Sequence, residues 1–171
     1  MVVAVARLGH RSKRDKRLST HCALIARAFG AGRMVYFGEK DAVLEASVRG
    51  VVSRWGGSFE IEHGNSWKRL FNEEKKRGAK IVHLTMYGLP YKRVLQSVKG
   101  KRLLVVIGSK KVPRGIYGEA NYNCSITNQP HSEAGALAVF LEGLGLQSRF
   151  RGAKLRLKPS ARGKRFTTKY K

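Results

Sequence analysis

Leu103-Leu-Val-Val-Ile107 is an unbroken apolar run. A strand without polar alternation has to be covered on both faces, the signature of a central strand in a parallel sheet flanked by helices. The rest of the chain supplies the partners. Strand-like segments are Val2 to Ala6, Met34 to Phe37, Ser58 to Glu62, Lys80 to Leu84 and Tyr122 to Ile126. Between them lie helical patterns with start and stop signals. Ser19 or Thr20 caps a helix reaching Arg27 or Ala28, with Gly30 to end it. Asp41 caps a second, with Leu44, Val48, Val51, Val52 and Trp55 on one face. Ser66 caps a third, with Trp67, Leu70 and Phe71 on its buried face and Gly78 as its stop. Tyr91 to Val98 is a short helix, Arg114 to Glu119 a helical turn, and a last helix starts near Ser132 behind Pro130. Strand and helix alternate throughout, which predicts an α/β fold: a mostly parallel sheet with helices on both faces and right-handed crossovers.

With 171 residues the chain suits one domain with a real core. No stretch approaches the roughly 20 apolar residues that span a membrane. Met1 to Leu8 reads as a first strand and not as a signal peptide. Lys and Arg number 35 against 11 Asp and Glu, a net charge of +24. A field of that size favours a polyanion, above all nucleic acid. Two regions concentrate it. Arg7 to Arg17 reads as a basic loop, with six Lys/Arg and one Asp. Gln147 to Lys171 carries ten Lys/Arg and no acid, interleaved with Phe150, Leu155, Leu157, Phe166 and Tyr170. That tail is either a disordered cationic arm or an amphipathic hairpin that grips phosphate. Cys22 and Cys124 form no Cys-x-x-Cys pattern, so each reads as a small, reduced, partly buried side chain.

In an open parallel sheet, ligands gather at the carboxyl ends of the strands. Three strand ends here carry unusual loops: Leu84-Thr-Met-Tyr-Gly88, Gly108-Ser-Lys-Lys-Val-Pro113 and Ile126-Thr-Asn-Gln-Pro-His-Ser-Glu133. Together they suggest one composite pocket. It is not a familiar nucleotide site. No Gly-x-x-x-x-Gly-Lys-Ser/Thr occurs, and Gly143-Leu-Gly145 follows a helix and lacks the third glycine of a dinucleotide fingerprint. The five histidines show no helical metal-ligand spacing, so no metal is expected. A triad drawn from Ser132, His131 and Glu133 is geometrically poor, because adjacent residues at a helix start point apart.

Arg7-Leu-Gly-His-Arg11, Arg14-Asp15, Thr20-His21, Ala26-Arg-Ala-Phe-Gly-Ala31, His83-Leu-Thr-Met-Tyr-Gly88, Val106-Ile-Gly-Ser-Lys-Lys-Val-Pro113 and Asn128-Gln-Pro-His-Ser-Glu133 resemble the archaeal tRNA ribose 2′-O-methyltransferases that act on cytidine 56, of the SPOUT superfamily. The resemblance covers about Val3 to Leu146. It implies a deep trefoil knot near the C-terminus, within about residues 80–146 of a domain 1–146, followed by a basic extension 147–171. It implies S-adenosylmethionine as cofactor, tRNA as substrate, a homodimer with the active site near the subunit boundary, and a cytoplasmic protein. Carried over position by position, the cofactor loops become Leu84; Gly108, Ser109, Lys110, Lys111 and Val112; and Ile126, Thr127, Asn128, Gln129, Pro130, His131, Ser132 and Glu133. Related knotted enzymes use an arginine to help deprotonate the ribose hydroxyl, but Leu24 holds that place here. Arg17 and Arg7 are the candidates to replace it, with Arg11, Arg14 and His21 behind them; water or a substrate phosphate could also take the proton. The rival readings are an RNA-binding module without activity and a ribose methyltransferase acting at another RNA position.

Overall fold

The computed structural model describes residues 1–108, 112–148 and 150–168. Its elements are β1 (Val3–His10), α1 (Ser12–Ala28), β2 (Arg33–Gly38), α2 (Ala42–Trp55), β3 (Glu60–His63), α3 (Trp67–Lys76), β4 (Lys80–Pro90), α4 (Tyr91–Val98), β5 (Leu103–Gly108), α5 (Gly115–Glu119), β6 (Tyr122–Ser125), α6 (Glu133–Gly143), β7 (Leu155–Lys158) and β8 (Arg165–Thr168). Among the described residues, β1 to β6 form one sheet in the order β3-β2-β1-β5-β4-β6, with every pair parallel.

The central run behaves as its composition requires. β5 lies between β1 and β4, with Leu103 to Ile107 all buried. Its side chains divide between two cores by simple alternation. Leu103, Val105 and Ile107 join Val3, Val5, Leu137, Phe140 and Leu141 under α1, α2, α4 and α6. Leu104 and Val106 join Ala4, Ala6, Phe71 and Ile116 under α3 and α5. The caps read from sequence are present at Asp41, whose carboxylate accepts from the Leu44 N–H (2.9 Å), and at Ser66, whose hydroxyl accepts from the Arg69 N–H.

Two segments differ from expectation. Arg7 to Arg17 is not a loop: β1 continues to His10 and α1 begins at Ser12, so Ser19 and Thr20 lie inside the helix. The strand extends because Arg7 is in register with Tyr36 on one side and Ile107 on the other. Its charge is accommodated by a partner 126 residues away, which charge patterning cannot foresee. Thr85 to Pro90 is not simply a turn either. It belongs to β4, whose register against β6 slips so that Leu84 and Leu89 both face Cys124. A Cβ on Gly88 would lie 2.4 Å from the Cys124 nitrogen, so this crossing requires glycine.

Of the two alternatives for the basic tail, the described residues form the hairpin. β7 and β8 pair antiparallel, with Leu157 opposite Phe166. The segment leading into it is tied to the body. Gly57 N–H donates to the Arg151 carbonyl, Lys154 N–H to the Arg54 carbonyl and Ser148 Oγ–H to the Ala28 carbonyl. Among the described residues no helix is long and apolar enough to cross a membrane.

Candidate active site

The strand order reverses at β1 and β5, and a cavity of about 650 Å³ opens at the carboxyl edge of the sheet beside that reversal. Three strand ends build it, with side chains from α1, α5 and α6. The end of β4 gives His83, Leu84, Thr85, Met86 and Tyr87; Gly108 and Val112 come from the β5 end; and Ile126, Pro130, His131, Ser132 and Glu133 come from the β6–α6 connection. The first turns of α1 close it with Arg11, Arg14, Asp15 and Leu18.

The structure thus brings Leu84, Gly108, Val112, Ile126, Pro130, His131, Ser132 and Glu133 together around one space. Ser109, Lys110 and Lys111 lie outside the described residues. Thr127, Asn128 and Gln129 are exposed and off the cavity wall. Asn128 is nonetheless fixed: its amide donates to the Met86 carbonyl (2.6 Å) and stands 3.3 Å from Ser125 Oγ, tying the β6–α6 loop to the looped end of β4. Ser132 caps α6, its hydroxyl accepting from the Ala134 N–H.

The two arginines expected to handle the proton have different places. Arg7 is fully buried beneath the wall, and its Nη2 donates to Glu133 Oε1 (3.1 Å). Its Nε and Nη1, and Glu133 Oε2, are buried with no hydrogen-bond partner in the described structure. Arg17 is exposed on α1, outside the wall. At 100° per residue it projects about 110° around the helix from the mean direction of Arg11, Arg14, Asp15 and Leu18. The arginines on the wall are Arg11 and Arg14, with Arg11 Nε donating to Asp15 Oδ2 at 3.2 Å.

Burial sets the electrostatics. It pushes the Glu133 carboxyl above the ordinary glutamate range, against the pull of the Arg7 charge. The Cys22 thiol, desolvated and facing the Glu133 charge, is pushed up to about 12; Cys124, desolvated behind the wall, also reaches about 12. Both thiols are therefore protonated and inert at neutral pH. Desolvation holds His83 below the usual histidine value, with the Asn123 hydrogen bond working the other way. The Asn123 amide donates to the Tyr117 carbonyl (2.9 Å), so its Oδ1 faces His83 Nδ1 at 3.0 Å. His83 Nδ1 therefore carries the proton and Nε2 is left as an acceptor. Tyr117 packs edge-on against the same ring, with centroids 4.8 Å apart.

His83, Arg11, Arg14 and Asp15 stand in the quoted family motifs but were not placed on the cavity wall, and Tyr117 and Leu18 were not singled out. His83 stood one residue before the flagged Leu84 loop and could have been found by extending the strand-end rule inward. Arg11 and Arg14 were named only as secondary candidates for the proton, because a segment read as a loop gives them no common face. Among the described residues, no group of three or more His, Cys, Asp or Glu is placed to hold a metal ion.

A family model described as tRNA ribose 2′-O-methyltransferase, aTrm56, matches residues 55–167. The chain is 51% identical to a tRNA (cytidine(56)-2′-O)-methyltransferase of Thermococcus kodakarensis, over 96% of each chain. It is 47% identical to the protein of the same name from Pyrococcus horikoshii, over 96% of this chain and 84% of that one. Among solved structures it resembles the TrmH/SpoU tRNA modifying enzyme of A. aeolicus, with a TM-score of 0.63, 17% identity, and coverage of 84% of this chain and 73% of the other. It also resembles the SpoU methyltransferase AviRb of Streptomyces viridochromogenes in complex with AdoMet, with a TM-score of 0.59, 14% identity, and coverage of 84% and 56%. At those identities the structural likeness establishes the fold.

Proposed function

We propose, for a chain that belongs to the archaeal tRNA ribose 2′-O-methyltransferase family, that the cavity at the carboxyl edge binds S-adenosylmethionine and that the protein methylates the 2′-hydroxyl of cytidine 56 in tRNA. The observation that carries the reading is that cavity, where three strand-end loops meet an arginine-bearing helix face.

The residues present fit such a cofactor. Leu84, Val112, Ile126 and Ala136 offer an apolar wall for a flat base, while Asp15 and Glu133, paired with Arg11 and Arg7, balance the arginine charge at its edge. Gly108 leaves the strand end open to backbone contact, since a Cβ there would fall 2.5 Å from Val112 Cγ2. When bound, S-adenosylmethionine supplies an electrophilic methyl group on a sulfonium. In the transfer the S–CH3 bond breaks, an O–CH3 bond forms at the ribose, and the hydroxyl proton leaves. The protein's work is alignment and charge control.

Arg11 and Arg14 stand where a substrate phosphate would approach. Asn128 and Ser132 hold the loop that closes the site, and Thr127 and Gln129 extend the same loop. Arg7 supports Glu133 from below and has no path to a ribose. Arg17 faces away from its own cavity, so a role at the reacting hydroxyl places it in the cavity of a second copy. The protein then works as a homodimer with its sites at the subunit boundary, in the cytoplasm with its tRNA substrate. Specificity for RNA follows from the reacting group, since DNA lacks the 2′-hydroxyl.

The test is incubation with unmodified tRNA and labelled cofactor, followed by mapping of the methyl group. Label at the ribose of cytidine 56, absent from a transcript with another base there, is expected. Cofactor-loaded protein that leaves cytidine 56 unmethylated sinks the reading. S-adenosylhomocysteine should also raise Tm by ligand linkage.

A further inference from the structure

A second cavity, of about 460 Å³, lies between the C-terminal end of α2 and the β7–β8 hairpin. Trp55 and Phe150 line it, with Ala153, Leu155 and Leu157 completing the apolar wall and the exposed Arg151 and Arg156 at its rim. Trp55 ends α2, which runs antiparallel to the strands, so this cavity sits at the amino edge of the sheet, away from the cofactor cavity at the carboxyl edge. We propose that it binds an unpaired nucleotide of tRNA other than the one methylated, with the base against Trp55 and Phe150 and the flanking phosphates on Arg151 and Arg156.

Each part of the site matches a part of a nucleotide. The Phe150 ring is already used on one side, where the Arg27 guanidinium lies 4.6 Å from its centroid. It remains 38% exposed and lines the cavity. Arg27 in turn donates to the Gly56 carbonyl, and Gly57 N–H holds the Arg151 carbonyl, so the ring and the rim arginine are fixed to the end of α2. A rigid aromatic floor is what base stacking rewards, and stacking tolerates any base. Among the described residues no carboxylate is on the wall, and from Arg151 to Arg165 the chain has seven Lys/Arg and no Asp or Glu. At the far end of the wall Leu157 stands opposite Phe166, the two being 56% and 52% exposed. Arg156 shares the reverse face with the Lys158–Arg165 pair and meets the cavity only at the edge of β7.

An apolar groove ringed by cations could be covered by protein instead. A second copy meeting this face with its own is a poor candidate, because it would bring together two hairpins that each carry seven Lys/Arg and no acid from Arg151 to Arg165. A polyanion with flat apolar groups satisfies both the ring and the rim. The proposal rests on tRNA being the substrate.

Trp55 and Trp67 are the chain's two tryptophans. A Trp67→Phe variant therefore reports on Trp55 alone, and unmodified tRNA is the probe, with free tryptophan amide correcting for absorbance. Quenching of Trp55 on binding is expected. Arg151→Glu with Arg156→Glu, both on exposed side chains, should abolish the quench and raise the KM for tRNA about tenfold. They should also reduce the salt slope of binding by about 1.5, two phosphates' worth. kcat and the cofactor-induced rise in Tm should stay unchanged. Binding of tRNA with Trp55 unquenched and the slope intact overturns this site but leaves the methyltransferase reading standing. Trp55 emission that responds to protein concentration without RNA makes the groove an interface between copies, which also overturns it. If tRNA does not bind the parent protein at all, both readings fall together.

Discussion

The carboxyl edge of the sheet has two halves that were built differently. Beyond β5, the ends of β4 and β6 leave an open cavity whose wall offers His83 Nε2 and the carboxyl groups of Asp15 and Glu133. Beyond β1, the ends of β1, β2 and β3 are closed by side chains bonded to one another. His10 is buried, with Nδ1 2.7 Å from Ser19 Oγ and Nε2 3.4 Å from Asp41 Oδ2. Tyr36 packs edge-on against His10; its hydroxyl donates to Glu45 Oε1 (2.8 Å) and accepts from the Asp41 N–H (2.9 Å). His63 Nε2 donates to the Gly38 carbonyl. The same strand-end chemistry, dense in His, Tyr, Asp and Glu, makes a binding site on one side and a bolt on the other. What separates them is space: the closed half is filled by its own side chains, whereas Asp15 and Glu133, though paired with Arg11 and Arg7, border a cavity.

The sharpest test of that contrast is Arg7, which belongs to the fold yet supports the open half. Arg7→Met leaves the Glu133 carboxyl buried without its cation and should cost about 3–5 kcal/mol. For a chain of this length that is a fall in Tm of roughly 10 °C. Adding Glu133→Gln should recover part of the loss, because a neutral amide tolerates the site better, while cofactor affinity falls further. A single Arg7→Met variant that melts with the parent would show that the pair stabilises nothing.

The closed half should respond in stability alone. Asp41→Ala removes the α2 cap and the carboxylate that faces His10 Nε2 at 3.4 Å, at a cost of about 2 kcal/mol. Methyl transfer per folded molecule should be unchanged at a temperature where both proteins are native. A fall in kcat/KM with Tm intact would mean that the bolt reaches the site.

How much of this was readable beforehand follows the same division. The parallel sheet, its central strand and the Asp41, Ser66 and Ser132 caps are local patterns of period and capping chemistry, so they were legible. The three cavity loops were legible as strand ends. What was missed depends on long-range pairing. Arg7 was read as a candidate to handle the proton from a basic loop, because nothing near it in sequence reveals its buried pairing with Glu133. Arg11, Arg14, Asp15 and Leu18 acquire a common face only once the segment is known to be helical. The slip in β4, with Leu84 and Leu89 both facing Cys124, comes from a tertiary crossing at Gly88 that no turn signal encodes.

In the open half the reverse of the Asp41 result is expected. His83→Phe keeps an aromatic ring against Tyr117 but removes the acceptor at Nε2. Stability should change by less than about 1 kcal/mol, since the ring's packing survives and one hydrogen bond is lost. Turnover or cofactor affinity should fall about tenfold, roughly 1.4 kcal/mol. If the variant loses stability and keeps its kinetics, His83 belongs to the bolt and the division of the two halves is drawn in the wrong place.

The smallest effect touches both halves at once. Burial lowers the pKa of His10 and of His83 below the ordinary value of 6.5; at His10 the Arg7 charge adds to it while Asp41 opposes. In the window between each lowered folded value and 6.5, the unfolded chain binds a proton that the native state refuses. Stability should therefore rise with pH through that window and be fully present above 6.5, with a slope of at most about 1.4 kcal/mol per pH unit for each histidine. Glu133 acts with the opposite sign at lower pH. Its raised pKa means the native state keeps a proton that the unfolded chain has already lost above 4.5, so it opposes folding as pH climbs through its own window. Tm measured against pH should thus climb toward 6.5 and then level off. His10→Gln should remove the bolt's share of the rise and His83→Phe the cavity's share. A double variant whose profile matches the parent's would show that neither imidazole is kept neutral by the fold.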